Sequence, residues 1–273
     1  MKKSTFLSYC LFGLLLTSCV KDADVKIPKV ETKLVLSSFI CPQEEFVIVK
    51  VTTSKPIYNN PDNFMKHETV SDATVVISSS TDSWILPYNQ QYRRYMLDSS
   101  LIHIKAGEKY SLSVSTPEGK FAEAITSIPY SNNTLTYTTS DDPESLLGKG
   151  YILKAEWQDT PNSSDYYMIE TRHVSNSYLH SYWESISDEG NPGGILKTSV
   201  RFSYGNDATS PDTVYAMLSV ISRDLHLYYQ RFKGPGISSD DIFSEPLPAY
   251  TNIKGGLGLF AGFNKYEVRV FPK

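Results

Sequence analysis

Along Tyr110-Ser111-Leu112-Ser113-Val114-Ser115-Thr116 every second residue is apolar and most of those between are serine. This is the period of a strand with one buried and one wet face. The same period, or a short apolar run, recurs at Phe46 to Thr53, Thr74 to Ser78, Tyr151 to Trp157, Thr198 to Tyr204, Thr213 to Val220 and Tyr266 to Phe271, with many β-branched and aromatic side chains. Turn-rich stretches separate them: Tyr58 to Asp62, Asp188 to Gly194 and Gly205 to Asp207. One segment has helical period. From Ser222 to Phe232, Leu225, Tyr228, Tyr229 and Phe232 fall at i, i+3, i+4 and i+7, Ser222 suits the cap and Asp224 the first turn. Its tyrosine stripe reads as core packing before it reads as a ligand platform.

These elements predict a mainly β chain. Residues 34–129 hold five to seven short strands, the density of an immunoglobulin-like or transthyretin-like β-sandwich, and Pro117 to Lys120 makes a proline-to-glycine turn between two of them. A break near Ile128 to Asn133 opens a second β-rich domain, 130–273, with the helix near 222–232.

The start of the chain changes the picture. Residues 1–18 combine a basic opening at Lys2 and Lys3 with a mostly apolar run from Phe6 to Leu16. A membrane-spanning helix needs about 20 apolar residues, and a secretory signal roughly 7–15. The segment is therefore read as a cleaved signal. It ends in Leu16-Thr17-Ser18-Cys19, which resembles the bacterial lipobox, with small residues where a peptidase must reach the backbone beside an acylated thiol. Cys19 is the expected lipidation site. Each buried methylene of its fatty chains contributes about 0.8 kcal/mol, so several chains anchor a folded domain to a membrane persistently. Residues 19–33 form the tether, and Val20 to Asp24 looks like the lysine-plus-acidic signal that sends Bacteroidota lipoproteins to the outer face of the outer membrane.

Loss of Lys2 and Lys3 takes the formal net charge from −4 to −6, and no run of Lys or Arg occurs, which argues against nucleic acid as a partner. Of the three cysteines, Cys10 leaves with the signal and Cys19 carries lipid, so only Cys41 remains and no intrachain disulfide is expected. Beside Pro42 and with no basic neighbours, it reads as an inert thiol.

Candidate chemistry is sparse. Gly256-Leu257-Gly258-Leu259-Phe260-Ala261 satisfies the spacing of a dinucleotide loop, but no parallel βαβ unit surrounds it and no acidic residue can follow about 20 positions on. The glycines read instead as a tight turn or a close strand approach. His67, His103, His173, His180 and His226 lack metal-ligand spacing, Asp141, Asp142 and Glu144 lack that of a calcium loop, and the adjacent Asp240 and Asp241 do not by themselves make an acid–base pair. No catalytic residue, metal or cofactor is assigned.

The run from Phe243 to Phe263, with Glu245-Pro246, Asn252-Ile253, Gly255-Gly256, Gly258, Phe260 and Gly262, resembles the end of a Bacteroidota outer-membrane lipoprotein family of unknown function. Cys19, "ATVVIS" from Ala73, "AGEKYSLSVSTPEGKFAEAITSIP" from Ala106 and "SRDLHLYYQRF" from Ser222 agree with it. The resemblance implies lipid-anchored proteins often encoded beside TonB-dependent receptors, with no established activity.

The leading expectation is a non-enzymatic, surface-exposed lipoprotein serving as accessory or ligand-binding partner of a TonB-dependent barrel. Its docking or ligand surface is placed on the loops Tyr178 to Gly194, with Tyr178, Tyr182 and Trp183, and Gly234 to Tyr250, with Phe243 and Tyr250; Asn252, Gly255, Gly256 and Gly258 make a structural turn. A structural or adhesive surface protein is the alternative. An enzyme, the last reading, would need His173 or His180 brought within reach of a carboxylate.

Overall fold

The computed structural model describes residues 31–55, 68–131, 133–146, 149–161, 163–175, 178–189, 192–203, 214–233 and 250–271. Cys19 and its tether as far as residue 30, Phe243, His67, Asp240 and Asp241, and the turns at Tyr58 to Asp62 and Gly205 to Asp207 lie outside them.

The fold is mainly β, with one helix and three sheets among the described residues. The first region contributes β1 (Leu34–Ile40), β2 (Phe46–Thr53), β3 (Thr74–Ser78), β4 (Ser83–Ile85), β5 (Tyr88–Asn89), β6 (Arg94–Asp98), β7 (Lys109–Ser115) and β8 (Phe121–Ser127). The second contributes β9 (Thr136–Asp141), β10 (Gly150–Gln158), β11 (Tyr166–Ser175), β12 (Tyr178–Ser187), β13 (Ile195–Ser203), β14 (Val214–Ile221), helix α1 (Arg223–Lys233) and β15 (Gly256–Val270).

One sheet of eight strands, in the order β12-β11-β14-β15-β1-β2-β6-β5, runs through both regions. A four-stranded sheet, β4-β3-β7-β8, covers one end of it, and the three strands β13-β10-β9 cover the other. Leu36, Val49, Val51, Val75, Ile77, Leu112, Val114 and Phe260 fill the first sandwich. Leu153, Trp157, Tyr167, Ile169, Phe202, Ala216, Leu218 and Val270 fill the second. The serine alternation of β7 behaves as its pattern dictates, with Tyr110, Leu112 and Val114 buried and the residues between them at or near the surface. The β7–β8 turn carries Gly119 at φ 84, and the backbone of Thr116 bonds both Gly119 N and Lys120 O at 3.0 Å.

The long strand β15 joins the two ends. Residues 256–262 run parallel to β1, from Leu34↔Gly256 to Ile40↔Gly262, and residues 263–270 run antiparallel to β14, from Ile221↔Phe263 to Val214↔Val270. At the changeover Gly262 N donates to the buried Thr126 Oγ1 (2.8 Å) and Gly262 O accepts from Ser222 N (2.9 Å), so neither backbone group is stranded. The sequence run around Gly256 to Ala261 is thus a strand pressed close to its neighbours rather than a free turn. Gly258 has φ 104, and a Cβ there would sit 1.9 Å from Leu36 O. Gly255, at φ 75, would place one 2.5 Å from Phe121 O.

Two parts of the second region carry more strand than periodicity predicts. Tyr178–Ser187, expected as a loop, is β12, and β11 has no clear sequence signal. For β11 the reason is burial on both faces, and for β12 it is a sequence that mixes polar and apolar residues on each face. Along β11, Tyr167, Ile169, Thr171 and His173 face the second core while Met168 and Glu170 are buried on the other side, which erases the alternation.

Gly258→Ala is expected to lower stability by about 3 kcal/mol or more, because it adds a backbone collision to the left-handed penalty. Gly119→Ala, whose Cβ meets nothing within 4 Å, carries only the conformational penalty of about 1–2 kcal/mol. Urea unfolding of the two variants checks the difference, and equal losses would remove the close-approach account.

Candidate functional site

Residues of alternating parity on β11, β12, β14 and β15 form the face of the large sheet turned away from the second core. Their registers stack them in rows: Ser185, Met168, Ser219 and Lys265; then Trp183, Glu170, Met217 and Glu267; then Ser181, Arg172, Tyr215 and Arg269. Helix α1 lies on this face. Leu225 is buried against Met168, Ile221, Leu259 and Ala261, with Tyr228 and Tyr229 packed beside them. The tyrosine stripe is therefore core on its inner side, as the helical spacing implied.

Several contacts hold the helix in place. Ser222 Oγ caps Leu225 N at 3.4 Å. His226 stacks on Tyr166, with ring centroids 4.6 Å apart, and its Nδ1 lies 2.9 Å from Ser185 Oγ. Asp224 accepts hydrogen bonds from the Tyr250 hydroxyl and from Asn252 Nδ2 (3.1 Å). The Asn252 amide also pairs with the backbone of Phe260, donating to its carbonyl at 2.7 Å and accepting from its N–H at 3.0 Å. Asn252 is thus the joint between helix and β15.

Between helix and sheet there remains a cavity of about 270 Å³. Phe39, Met168, Trp183, Met217, Leu225, Tyr229 and Phe263 supply apolar and aromatic wall, and Glu170, Arg172, Ser181, Ser219 and Lys265 supply polar groups. Trp183 lies against Tyr229 with ring centroids 4.4 Å apart. Glu170 is 6% exposed, and being two residues from Arg172 on one strand it meets the guanidinium side by side. Arg172 Nε and Nη2 donate to its two oxygens at 2.7 and 2.9 Å, and Ser181 Oγ adds a third bond. Lys265 Nζ reaches Glu44 at 2.6 Å. Burial, with the Glu170 charge adding, pushes the Tyr229 phenol up to about 12 and keeps it a donor. A small concave site with apolar walls and a few convergent charges is the arrangement of a ligand pocket.

Of the aromatic residues singled out in sequence, Trp183 lines this cavity and Tyr250 braces the helix beneath which it lies. Tyr182 points to the opposite face, against the second core, its hydroxyl 3.3 Å from Ser203 O. Tyr178 begins β12. Glu170 and Arg172 were not found by sequence reasoning. Their i, i+2 spacing of opposite charges inside an aromatic stretch was the available signal.

His173 and His180 face one another across β11 and β12 with ring centroids 5.0 Å apart, stacked with Tyr182 and near Phe202. Burial holds the His173 imidazole down at about 4, and the neighbouring His180 charge adds to this. Asp142 and Glu144 meet Arg201, at 3.6 and 2.8 Å, rather than converging on a cation. A different trio, Asp159, Asp165 and Asp188, brings three carboxylates within 4.8 Å. Asp159 accepts from the Tyr167 hydroxyl and from Gly193 N (2.7 Å), and Asp188 accepts from Asp165 N (3.0 Å). The trio clasps the ends of β10, β11, β12 and the approach to β13. Burial, with the charges of Asp159 and Asp188, raises the Asp165 carboxyl above its usual range.

A His kept neutral in the folded state contributes stability above its unfolded value near 6.5 and loses it as the pH falls toward 4, because the unfolded chain takes up the proton first. The thermal midpoint of the wild type is expected to drop over that window by the equivalent of about 1–3 kcal/mol at this position. His173→Phe, which keeps a flat ring and removes the proton acceptor, should flatten the drop. Melting curves from pH 7.5 to 4 check it, and parallel wild-type and variant profiles would refute the assignment.

No curated protein matches the chain. A family model described as a domain of unknown function, DUF4249, matches residues 20–269, which take in both sandwiches, the helix and the strand that joins them. The chain belongs to the DUF4249 family.

Proposed function

We propose that this chain is an outer-membrane lipoprotein, anchored through Cys19 and facing the cell exterior, that binds a small ligand as the accessory of a TonB-dependent transporter. The observation that carries the ligand-binding reading is the cavity under α1, where aromatic walls meet the buried Glu170 carboxylate and its half-exposed partner Arg172. Such a pair is a poor means of adding stability, since desolvation of the Glu170 carboxylate offsets much of its attraction to a guanidinium that is itself 41% exposed. Recognition of a polar group by a preformed charged floor accounts better for its presence. The lipid anchor is supported by Leu16-Thr17-Ser18-Cys19 and the exterior face by Lys21-Asp22-Ala23-Asp24. The barrel partner rests on the family resemblance, and on the rigid double sandwich that a tether would present to a neighbour in the same membrane.

Tagged full-length protein, purified from detergent-solubilised outer membrane of its native host beside Cys19→Ala, is expected to bring down a TonB-dependent barrel in near-stoichiometric amount, and the variant to leave the membrane fraction. Wild-type protein recovered from that fraction without a barrel would end the accessory reading. A Cys19→Ala protein still held in the membrane would end the anchor.

A further inference from the structure

We infer that the cavity under α1 takes a small amphipathic anion, a carboxylate or a like singly charged group on an apolar or aromatic body. The inference rests on the ligand-binding reading above and goes on to the ligand's chemistry. Three charged side chains line the cavity: Glu170, Arg172 and Lys265. Arg172 is paired with Glu170, and Lys265 with Glu44 at 2.6 Å just beyond the lining, so net charge does not choose the ligand's sign and the free donors do.

The hydrogen-bond inventory points to an anion. Glu170 is already served, since its two oxygens accept from Arg172 Nε, Arg172 Nη2 and Ser181 Oγ. A ligand ammonium would have to displace one of these bonds to reach it. Donors, by contrast, are in surplus. Arg172 commits two of its five N–H groups to Glu170 among the described residues, and Lys265 Nζ directs one bond to Glu44. The Tyr229 phenol and the Ser219 hydroxyl are further donors on the same wall. An incoming carboxylate finds the remaining N–H groups of a guanidinium that Glu170 already holds in place, the geometry for a charge-assisted bond.

The rest of the lining sets the ligand's body. Trp183 and Tyr229 lie together on one side, and Phe39, Met168, Met217, Leu225 and Phe263 close the others. The volume, about 270 Å³, is at or below the small end of ligand pockets, roughly 300–1,000 Å³, and suits one compact molecule rather than a polymer segment.

The test uses three probes of matched shape, 4-phenylbutyrate, 4-phenylbutanamide and 4-phenylbutylamine, titrated into the intact chain in nonionic detergent and followed by calorimetry and by quenching of tryptophan fluorescence. The carboxylate is expected to bind saturably, about tenfold or more tighter than the amide, the difference made by one charge-assisted bond. Arg172→Ala should abolish that preference. Because this substitution strands the buried Glu170 charge, the double variant Arg172→Ala with Glu170→Gln is run beside it, removing both charges together, and should bind acid and amide alike. Tightest binding by the amine, or equal binding of acid and amide by the wild type, overturns the anion assignment while the cavity remains a ligand site. Failure of all three probes to perturb tryptophan emission or to release heat overturns the ligand-binding reading along with it.

Discussion

The double sandwich depends on one strand pairing with two partners in succession. Over its first half β15 is a member of the first sandwich, and over its second half a member of the other. Phe260 is buried in one core and Val270 in the second, ten residues along the same backbone. A strand can do this only if its neighbours approach it closely where the partnership changes. That is why side-chain-free positions cluster there, and why Thr126 and Ser222 take the two backbone groups of Gly262 that no strand partner uses. The two sandwiches therefore meet through a continuous hydrogen-bonded sheet, a much stiffer joint than a linker. Independent opening of either sandwich would break the shared ladder.

The same strand organises the site. Helix α1 follows β14 directly, its cap donates to Gly262, and Asn252 ties its first turn to Phe260. The helix is thus pinned at its beginning to the strand that joins the sandwiches. Its inner face seals part of the sheet, and the rows beyond Leu225 and Tyr229 are left to form a cavity floor. Pinning one end of a helix over a sheet that carries Trp183, Glu170 and Arg172 creates a preformed concavity.

Charge is handled differently at the two polar centres of the second region. The Asp159, Asp165 and Asp188 trio is closed on itself by Tyr167, Gly193 and a backbone N–H, and serves to hold strand ends together. The Glu170–Arg172 pair is open, with its carboxylate saturated and its guanidinium only partly used. The acids that sequence spacing brought forward, Asp142 and Glu144, are neutralised at the surface by Arg201. Proximity in three dimensions, rather than proximity along the chain, decides which carboxylates share a site.

What the chain's pattern determined by itself was local. Strands with one wet face, such as β2, β3 and β7, were legible because water on one side and core on the other impose a period of two. Helix α1, its cap at Ser222 and the turn at Gly119 were legible for the same reason: each depends on residues within a few positions of one another. Strand β11 was not, because both its faces are covered, and neither was β12, each of whose faces mixes apolar or aromatic residues with polar ones. The tertiary structure alone decided that the last strand returns to pair with the first, that Trp183 turns toward α1 while Tyr182 turns away, and that Glu170 and Arg172 stand at the floor of a cavity. Those placements follow from long-range strand register, where a shift of one residue would exchange the two faces, and no short window of sequence carries that information.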